Sequence, residues 1–284
     1  MRLFLVALSA LICIGSSPER FERSDTEDIA RTLQFPGGGS SKHIVVDNIN
    51  GSIDVVGYDG NEIQLTARRK SYGRSAEKLA ESKKRITLDI REEPGTIILF
   101  VNTPWRCGDD AKSYRRQDDC GFDADFDFEL KVPSRADFSL STVNKGSITV
   151  KNMHGAFEVQ NVNGGITMSG IAGAGLVTTV NGRVAVRFGK NPDTRCGFRT
   201  VNGSLEIEFP DELSADLKMK TFNGDVYSDF NVSGLPRQPL AREKIGRRTV
   251  YSVGEYMEVR AGRGGPEMLF ETLNGDIRIL KTHN

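Results

Sequence analysis

Seven aspartates fall between residues 109 and 127, and a crowd of carboxylates is what a calcium ion recruits. They are Asp109, Asp110, Asp118, Asp119, Asp123, Asp125 and Asp127. The stretch "DADFDFE" lacks the glycine on which an EF-hand loop turns, and its acids alternate with Ala and Phe. That is the pattern of a strand with one solvated face rather than of a metal loop. The histidines, His43, His154 and His283, are scattered as surface residues, without the His-x-x-x-His or Cys-x-x-Cys spacing that holds zinc. Neither a Gly-x-Ser-x-Gly elbow nor a Gly-x-x-x-x-Gly-Lys-[Ser/Thr] loop is present. "SGIAGAG" at 169–175 has the glycines of a phosphate cradle but no helix after it, so it reads as a turn. Glu158, Arg183, Arg187, Glu206, Glu208 and Asp225 mix signs without forming the carboxylate pair of a glycan-cleaving groove. The expectation is a protein without catalytic residues, metal or cofactor.

Positions of this kind need a scaffold, and the chain spells it out by repetition. "VDNINGSIDV" at 46–55, "TTVNGRVAVRF" at 178–188, "RTVNGSLEIEF" at 199–209 and "FETLNGDIRILK" at 270–281 are versions of one phrase. Its fixed point is an asparagine: Asn50, Asn144, Asn163, Asn181, Asn202, Asn223 and Asn274, each followed directly by Gly except at Asn144-Lys145-Gly146. Apolar residues stand one, four and six positions before it and three after, as in Val201, Phe198, Cys196 and Leu205 around Asn202. Every unit is therefore a strand, an Asn-Gly corner and a second strand, with burial at period two. From Asn144 to Asn223 the spacings are 19, 18, 21 and 21 residues. That length accommodates two strands of about five residues and two turns, with a second Gly turn at "MHGAF" and "IAGAG". Stacked units of this size predict an all-β, flattened two-sheet solenoid, five units rising roughly 24 Å. The corner glycines are expected to supply positive φ, and the asparagines to form a structural amide ladder from unit to unit.

The organisation read from this is a leader at 1–15, an N-terminal β-rich part at 16–133 and the repeats at 134–284. The β-rich part carries a strand and Gly-rich link at 30–39, strands at 62–69, 86–91 and 96–102, and one short helix at 75–84 capped by Ser75. Ala76, Leu79 and Ala80 share the helix face expected to pack. Pro133 ends the strand at 122–133. Met1-Arg2, the apolar run Leu3 to Ile14 and Gly15-Ser16-Ser17 have the layout of a secretory signal peptide, and no segment reaches the roughly 20 apolar residues of a spanning helix. Ile12 before Cys13 is too bulky for a lipidation signal. The expected mature chain is exported, to the periplasm or the cell surface. With 38 basic and 38 acidic residues it has no whole-molecule field to gather nucleic acid. A polar excursion follows Asn223, and within it "RQPLAREKIGRR" at 237–248 is read as a solvated loop. Export also permits disulfides, and Cys107 and Cys120, in one loop between strands, are expected to pair, for about 3 kcal/mol. Cys196, in an apolar column, is expected to be a buried free thiol.

The passages "VDNINGSIDVVGYDG", "FELKVPSRADFSLSTVNKGSITV", "TFNGDVYSDF" and "RGGPEMLFETLNGDIRIL" together resemble the bacterial putative-adhesin family of β-strand repeat proteins, a family of unknown function. The resemblance spans about residues 40–281. It implies a right-handed two-sheet β-superhelix, distantly similar to pectin-lyase-like solenoids without their catalytic residues, and a cell-envelope or adhesive role. The chain departs from the simplest pattern in the loop with Cys107 and Cys120 and in the basic excursion near 240. The reading adopted is a non-catalytic, exported binding scaffold for envelope polysaccharide or an envelope protein. The alternatives are a polysaccharide-active β-solenoid enzyme and an envelope-stress or assembly component.

Overall fold

The computed structural model describes residues 21–37, 42–104, 120–235, 241–245, 248–252 and 256–282. The leader and the segment 105–119, with Cys107 and four of the aspartates, lie outside them. The chain runs through β1 (Arg23–Gln34), β2 (His43–Asp47), β3 (Ile53–Tyr58), β4 (Glu62–Gly73), α1 (Ala76–Arg85), β5 (Thr87–Glu93), β6 (Thr96–Asn102) and β7 (Phe122–Pro133). The repeats follow as β8 (Asp137–Thr142), β9 (Ile148–Lys151), β10 (Phe157–Asn161), β11 (Ile166–Ile171), β12 (Gly175–Thr178), β13 (Val184–Phe188), β14 (Cys196–Arg199) and β15 (Leu205–Phe209). Then come β16 (Ala215–Asn223), β17 (Val226–Ser228), β18 (Val232–Gly234), β19 (Ala241–Ile245), β20 (Arg248–Ser252), β21 (Met257–Ala261), β22 (Glu267–Asn274) and β23 (Ile277–Lys281).

The result is an all-β architecture with one helix and two large mixed sheets that do not close on themselves. One is ordered β1-β4-β7-β3-β9-β11-β13-β15-β23-β17, the other β18-β21-β16-β22-β14-β12-β10-β8-β2-β6-β5. Each Asn-Gly corner carries the chain from the second sheet to the first, and each arm pairs in parallel with the same arm of a neighbouring unit, as in Val184↔Leu205 and Phe198↔Phe270. β2 and β3, in the N-terminal part, pair with β8 and β9 in the same way.

The stacking order is not the chain order. The unit around Asn274 lies between those of Asn202 and Asn223, because β22 pairs with both β14 and β16 and β23 with both β15 and β17. Reading the spacings in sequence placed Asn223 against Asn202, and that neighbour is corrected. Between β16 and β22 in the chain, β21 pairs antiparallel with one side of β16, and β22 then pairs in parallel with the other.

Between the sheets lies one continuous core. Residues four and six before the corner and three after it are buried almost without exception, including Val159, Phe198, Phe270, Leu217, Ile166 and Leu205. Like residues stack through it: Phe188 lies 5.0 Å from Phe209 and Phe198 5.4 Å from Phe270, centroid to centroid. Each such ring contributes about 2–3 kcal/mol of burial. Cys196 is buried as a thiol pushed up to about 11 by burial. Cys120 is a half-buried free thiol, and no disulfide is formed among the described residues; its expected partner Cys107 lies outside them.

α1 begins where expected, with Ser75 accepting from the Lys78 amide, Glu77 in the first turn and Lys83, Lys84 and Arg85 in the last. Its packed face is different from the one expected. Ala76 and Ala80 are exposed, while Ser82 is buried and donates its hydroxyl to the Asp123 carbonyl at 2.6 Å. Leu79 is half-buried, and Ser82, one turn on, is held against β7 by that bond, which leaves Ala76 and Ala80 on the outer side. The basic excursion, expected as a loop, contains the antiparallel hairpin β19–β20. No described helix is long and apolar enough to cross a membrane.

Candidate functional site

The corners form a continuous edge along the stack, and four columns of side chains define it. The asparagines make the expected ladder: Asn163, Asn181 and Asn202 donate Nδ2 to Oδ1 of Asn144, Asn163 and Asn181 at 2.9, 2.8 and 2.8 Å. Asn274 continues to Asn202 and Asn223 to Asn274, both at 2.7 Å. Asn50 does not join. It is buried, donates instead to Asp123 Oδ1 at 3.0 Å, and leaves its own Oδ1 without a protein partner.

Two positions before each asparagine is a column the sequence reading passed over: Asn48, Thr142, Asn161, Thr179, Thr200, Thr272 and Thr221 in stacking order. Each donates to the carbonyl of the corner glycine in the preceding unit, as Thr200 does to Gly182 at 3.0 Å and Thr272 to Gly203 at 2.9 Å; Asn48, in the first unit, reaches the Gly51 carbonyl of its own corner at 3.3 Å. The signal was available, since only Thr or Asn fills all seven places. Replacing Thr200 by Val should cost about 1–2 kcal/mol by leaving that carbonyl without a partner. The exposed Asn202, replaced by Leu, should cost no more than about 1 kcal/mol. Urea midpoints of the two variants decide the order.

The glycines serve close approach more than positive φ. A Cβ on Gly164, Gly182, Gly203, Gly275 or Gly224 would lie 2.0–2.2 Å from the carbonyl oxygen of the neighbouring corner glycine. Gly164, Gly182 and Gly224 do not have positive φ, which corrects the expectation for the column as a whole.

The column immediately before the asparagines is apolar but does not enter the core. Ile49 alone is buried, Val143 and Val162 are half-buried, and exposure rises through Val180 at 37%, Val201 at 38% and Leu273 at 47% to Phe222 at 76%. The burial period of two already assigns the inward places to the positions two, four and six before the corner, so this one must face out.

At the other end of the edge, Lys145, the residue inserted in the Asn144 corner, adopts φ 61 and sends its ammonium to Asp123 at 3.2 Å and Asp125 at 3.0 Å. The Tyr72 hydroxyl donates to Asp125 at 2.8 Å, and burial together with that bond holds it well above the usual tyrosine range. Asp123 is buried, and burial raises its carboxyl against the pull of Lys145. The solvated face expected for the aspartates thus holds for neither Asp123 nor Asp125, whose side chain is 18% exposed. Asp127 receives the amide and hydroxyl of Ser52, each at 2.8 Å. Their place beside a lysine makes this a closed ion-pair cluster, and no group of three metal-ligating side chains occurs among the described residues.

The remaining candidates stand apart. Arg183 pairs with Glu206 at 2.6 Å and Arg187 with Glu208, across neighbouring units of the first sheet's outer face, while Glu158 lies on the second sheet and Asp225 at the far corner. The His43 ring contacts the Ser139 hydroxyl at 3.0 Å, His154 is exposed, and His283 lies outside the described residues. "SGIAGAG", expected as a turn, instead closes β11, bends at 172–174 and opens β12, with Gly173 against the Gly155 carbonyl.

No family model and no curated protein matches the chain. A solved structure described as a "putative cell adhesion protein", from Clostridium sporogenes, is similar over 91% of this chain and 100% of that one, at 10% sequence identity and a TM-score of 0.38.

Proposed function

We propose that the chain is an exported, non-catalytic two-sheet β-solenoid that serves as a binding scaffold in the cell envelope, its partner an envelope polysaccharide or an envelope protein. The observation that carries this reading is the apolar column beside the asparagine ladder. Every other recurring position has a use within the stack: core, amide ladder, carbonyl cap or close approach. The column recurs as faithfully, and from Val180 through Val201 and Leu273 to Phe222 it stays exposed in the fold; exposed apolar residues in a continuous row are characteristic of contact surfaces. The leader-like start at Met1 to Ser17 supports export. A rigid edge with one such residue per unit suits an extended partner, which meets the same chemistry at each step.

The test is co-sedimentation of the mature chain with purified cell-wall sacculi and, separately, with outer-membrane vesicles. Retention by one of them is expected, and serine in place of Val180, Val201 and Leu273 together should weaken it about tenfold or more. These side chains are exposed, so the variant should keep its thermal midpoint. Undiminished retention by a folded triple variant removes the edge from consideration. Turnover of a glycan that is abolished by one carboxylate substitution overturns the non-catalytic reading.

A further inference from the structure

We propose that Asn223 is a site of spontaneous covalent modification, converted to aspartate and isoaspartate by its own following amide ahead of the other corners in the ladder. In an Asn-Gly pair the glycine backbone nitrogen can attack the asparagine Cγ. A nitrogen–Cγ bond forms, the Cγ–Nδ2 bond breaks, and the glycine proton departs with the side-chain nitrogen as ammonia. One water then opens the resulting five-membered imide at either carbonyl, leaving an aspartyl or an isoaspartyl residue. No oxidant, reductant or catalyst is needed. Two conditions are: the glycine N–H must be free, and the asparagine side chain must be able to swing onto it.

The stack denies at least one of these at every interior corner, and both at Asn181, Asn202 and Asn274. The Gly51, Gly182, Gly203 and Gly275 amides donate to the carbonyls of Asn144, Asn202, Asn274 and Asn223 at 2.9, 3.0, 2.9 and 2.8 Å. The side chains of Asn163, Asn181, Asn202 and Asn274 each donate to one neighbour and accept from another. Asn50 is buried. Asn223 is different because the ladder stops there. Its Nδ2 makes a single bond to Asn274 Oδ1, its own Oδ1 accepts none, and the Gly224 amide has no partner among the described residues. Asn223, Gly224 and Asp225 are all exposed. In chain order Asn274 would be the terminal corner; only the observed stacking order makes it Asn223. The product exchanges a donor for a carboxylate, which cannot donate to Asn274 and sits beside Asp225 and Asp276, so the end of the stack loosens as the protein ages.

Peptide mapping with isoaspartate detection on the mature chain, incubated in mildly alkaline buffer, tests this. Asn223 should convert at least about tenfold faster than Asn181, Asn202 and Asn274, whose corners must first open. The same chain in concentrated urea should convert its Asn-Gly corners at similar rates, and Asn223→Gln should remove the fast phase from the folded protein. Equal rates in the folded chain, Asn274 leading Asn223, or a preference for Asn223 that persists undiminished in urea would each overturn the proposal.

Discussion

Gly182→Ala is expected to cost on the order of 3 kcal/mol or more, and Gly197→Ala less than about 1 kcal/mol. A Cβ on Gly182 would stand 2.2 Å from the Gly164 oxygen, 2.5 Å from its carbonyl carbon and 2.9 Å from the Gly165 nitrogen. All three are backbone atoms of the adjoining unit. Relief requires spreading strands whose separation of about 4.8 Å is fixed by their hydrogen bonds, and the disturbance passes to every unit beyond. Propensity alone predicts the opposite sign: Gly182 does not have positive φ, and at such a site alanine ordinarily stabilises by restricting the unfolded chain. At Gly197 the added methyl meets only the Cδ1 of Leu176, at 2.9 Å, and that side chain can turn aside. Urea unfolding of both variants measures the contrast. Similar losses at the two positions would show that the corner does not depend on close backbone approach.

Lys145→Met is expected to lower stability by about 2 kcal/mol at neutral pH, and by less in mild acid. The Asp123 side chain is only 6% exposed and would lose its nearby cation, while the 49% exposure of Lys145 keeps the figure below that of a fully buried pair. Burial raises the Asp123 carboxyl, so the folded state holds that proton more tightly than the unfolded chain does. Stability attributable to Asp123 therefore falls as pH climbs from the ordinary carboxylate value of 3.8 through the raised folded one. Lys145 acts in the other direction. Burial works to lower its value, but the charges of Asp123 and Asp125 outweigh it and the net shift is upward. Its contribution is complete below the ordinary lysine value and fades only as pH rises through the folded one. Without the ammonium, Asp123 has a still higher folded value and a wider window in which its charge destabilises. Denaturation at about pH 5 and about pH 8 separates the two: a loss that is the same at both would remove Asp123 as the cause. Asp123→Asn in the Lys145→Met background should recover part of the loss at the higher pH.

Much of the fold was written in the spacing of the asparagines. Columns such as Phe198 and Cys196, or Leu205, announce the inward face by period alone, and Ser75 announces α1 by its place before Glu77 and Lys78. What escaped the sequence has a common cause. Parallel neighbours in a stack are chosen by matching columns, and the columns of the Asn223 and Asn274 units match Asn202 equally well, so nothing local separates chain order from stacking order. The column of Val180 and Val201 was noted for its apolar identity alone, although the period of two, which fills the interior with the positions two, four and six before the corner, already turned it outward. Thr200 and its counterparts were overlooked because a threonine in a strand needs no special reason. The burial of Asp123 depends on Lys145, twenty-two residues away, and on α1, whose Ser82 holds the Asp123 carbonyl. No pattern within one strand conveys that.

The place of the Asn274 unit also sets a schedule. Its bond to Asn202 joins residues 72 positions apart, and it lies between the units of Asn202 and Asn223 although it is synthesised after both. Residues 196–209 must therefore wait, with one side uncovered, until β22 and β23 emerge. During that wait the unit of Asn223 is already available, with columns able to fill the vacancy in simple succession. The native arrangement keeps that gap open for its rightful occupant, and the pairing of β21 along β16 that precedes the entry of β22 becomes a slow, non-local step in assembly. A chain that looks like a run of interchangeable local units thus acquires the kinetic liability of a long-range topology, concentrated in a single late insertion.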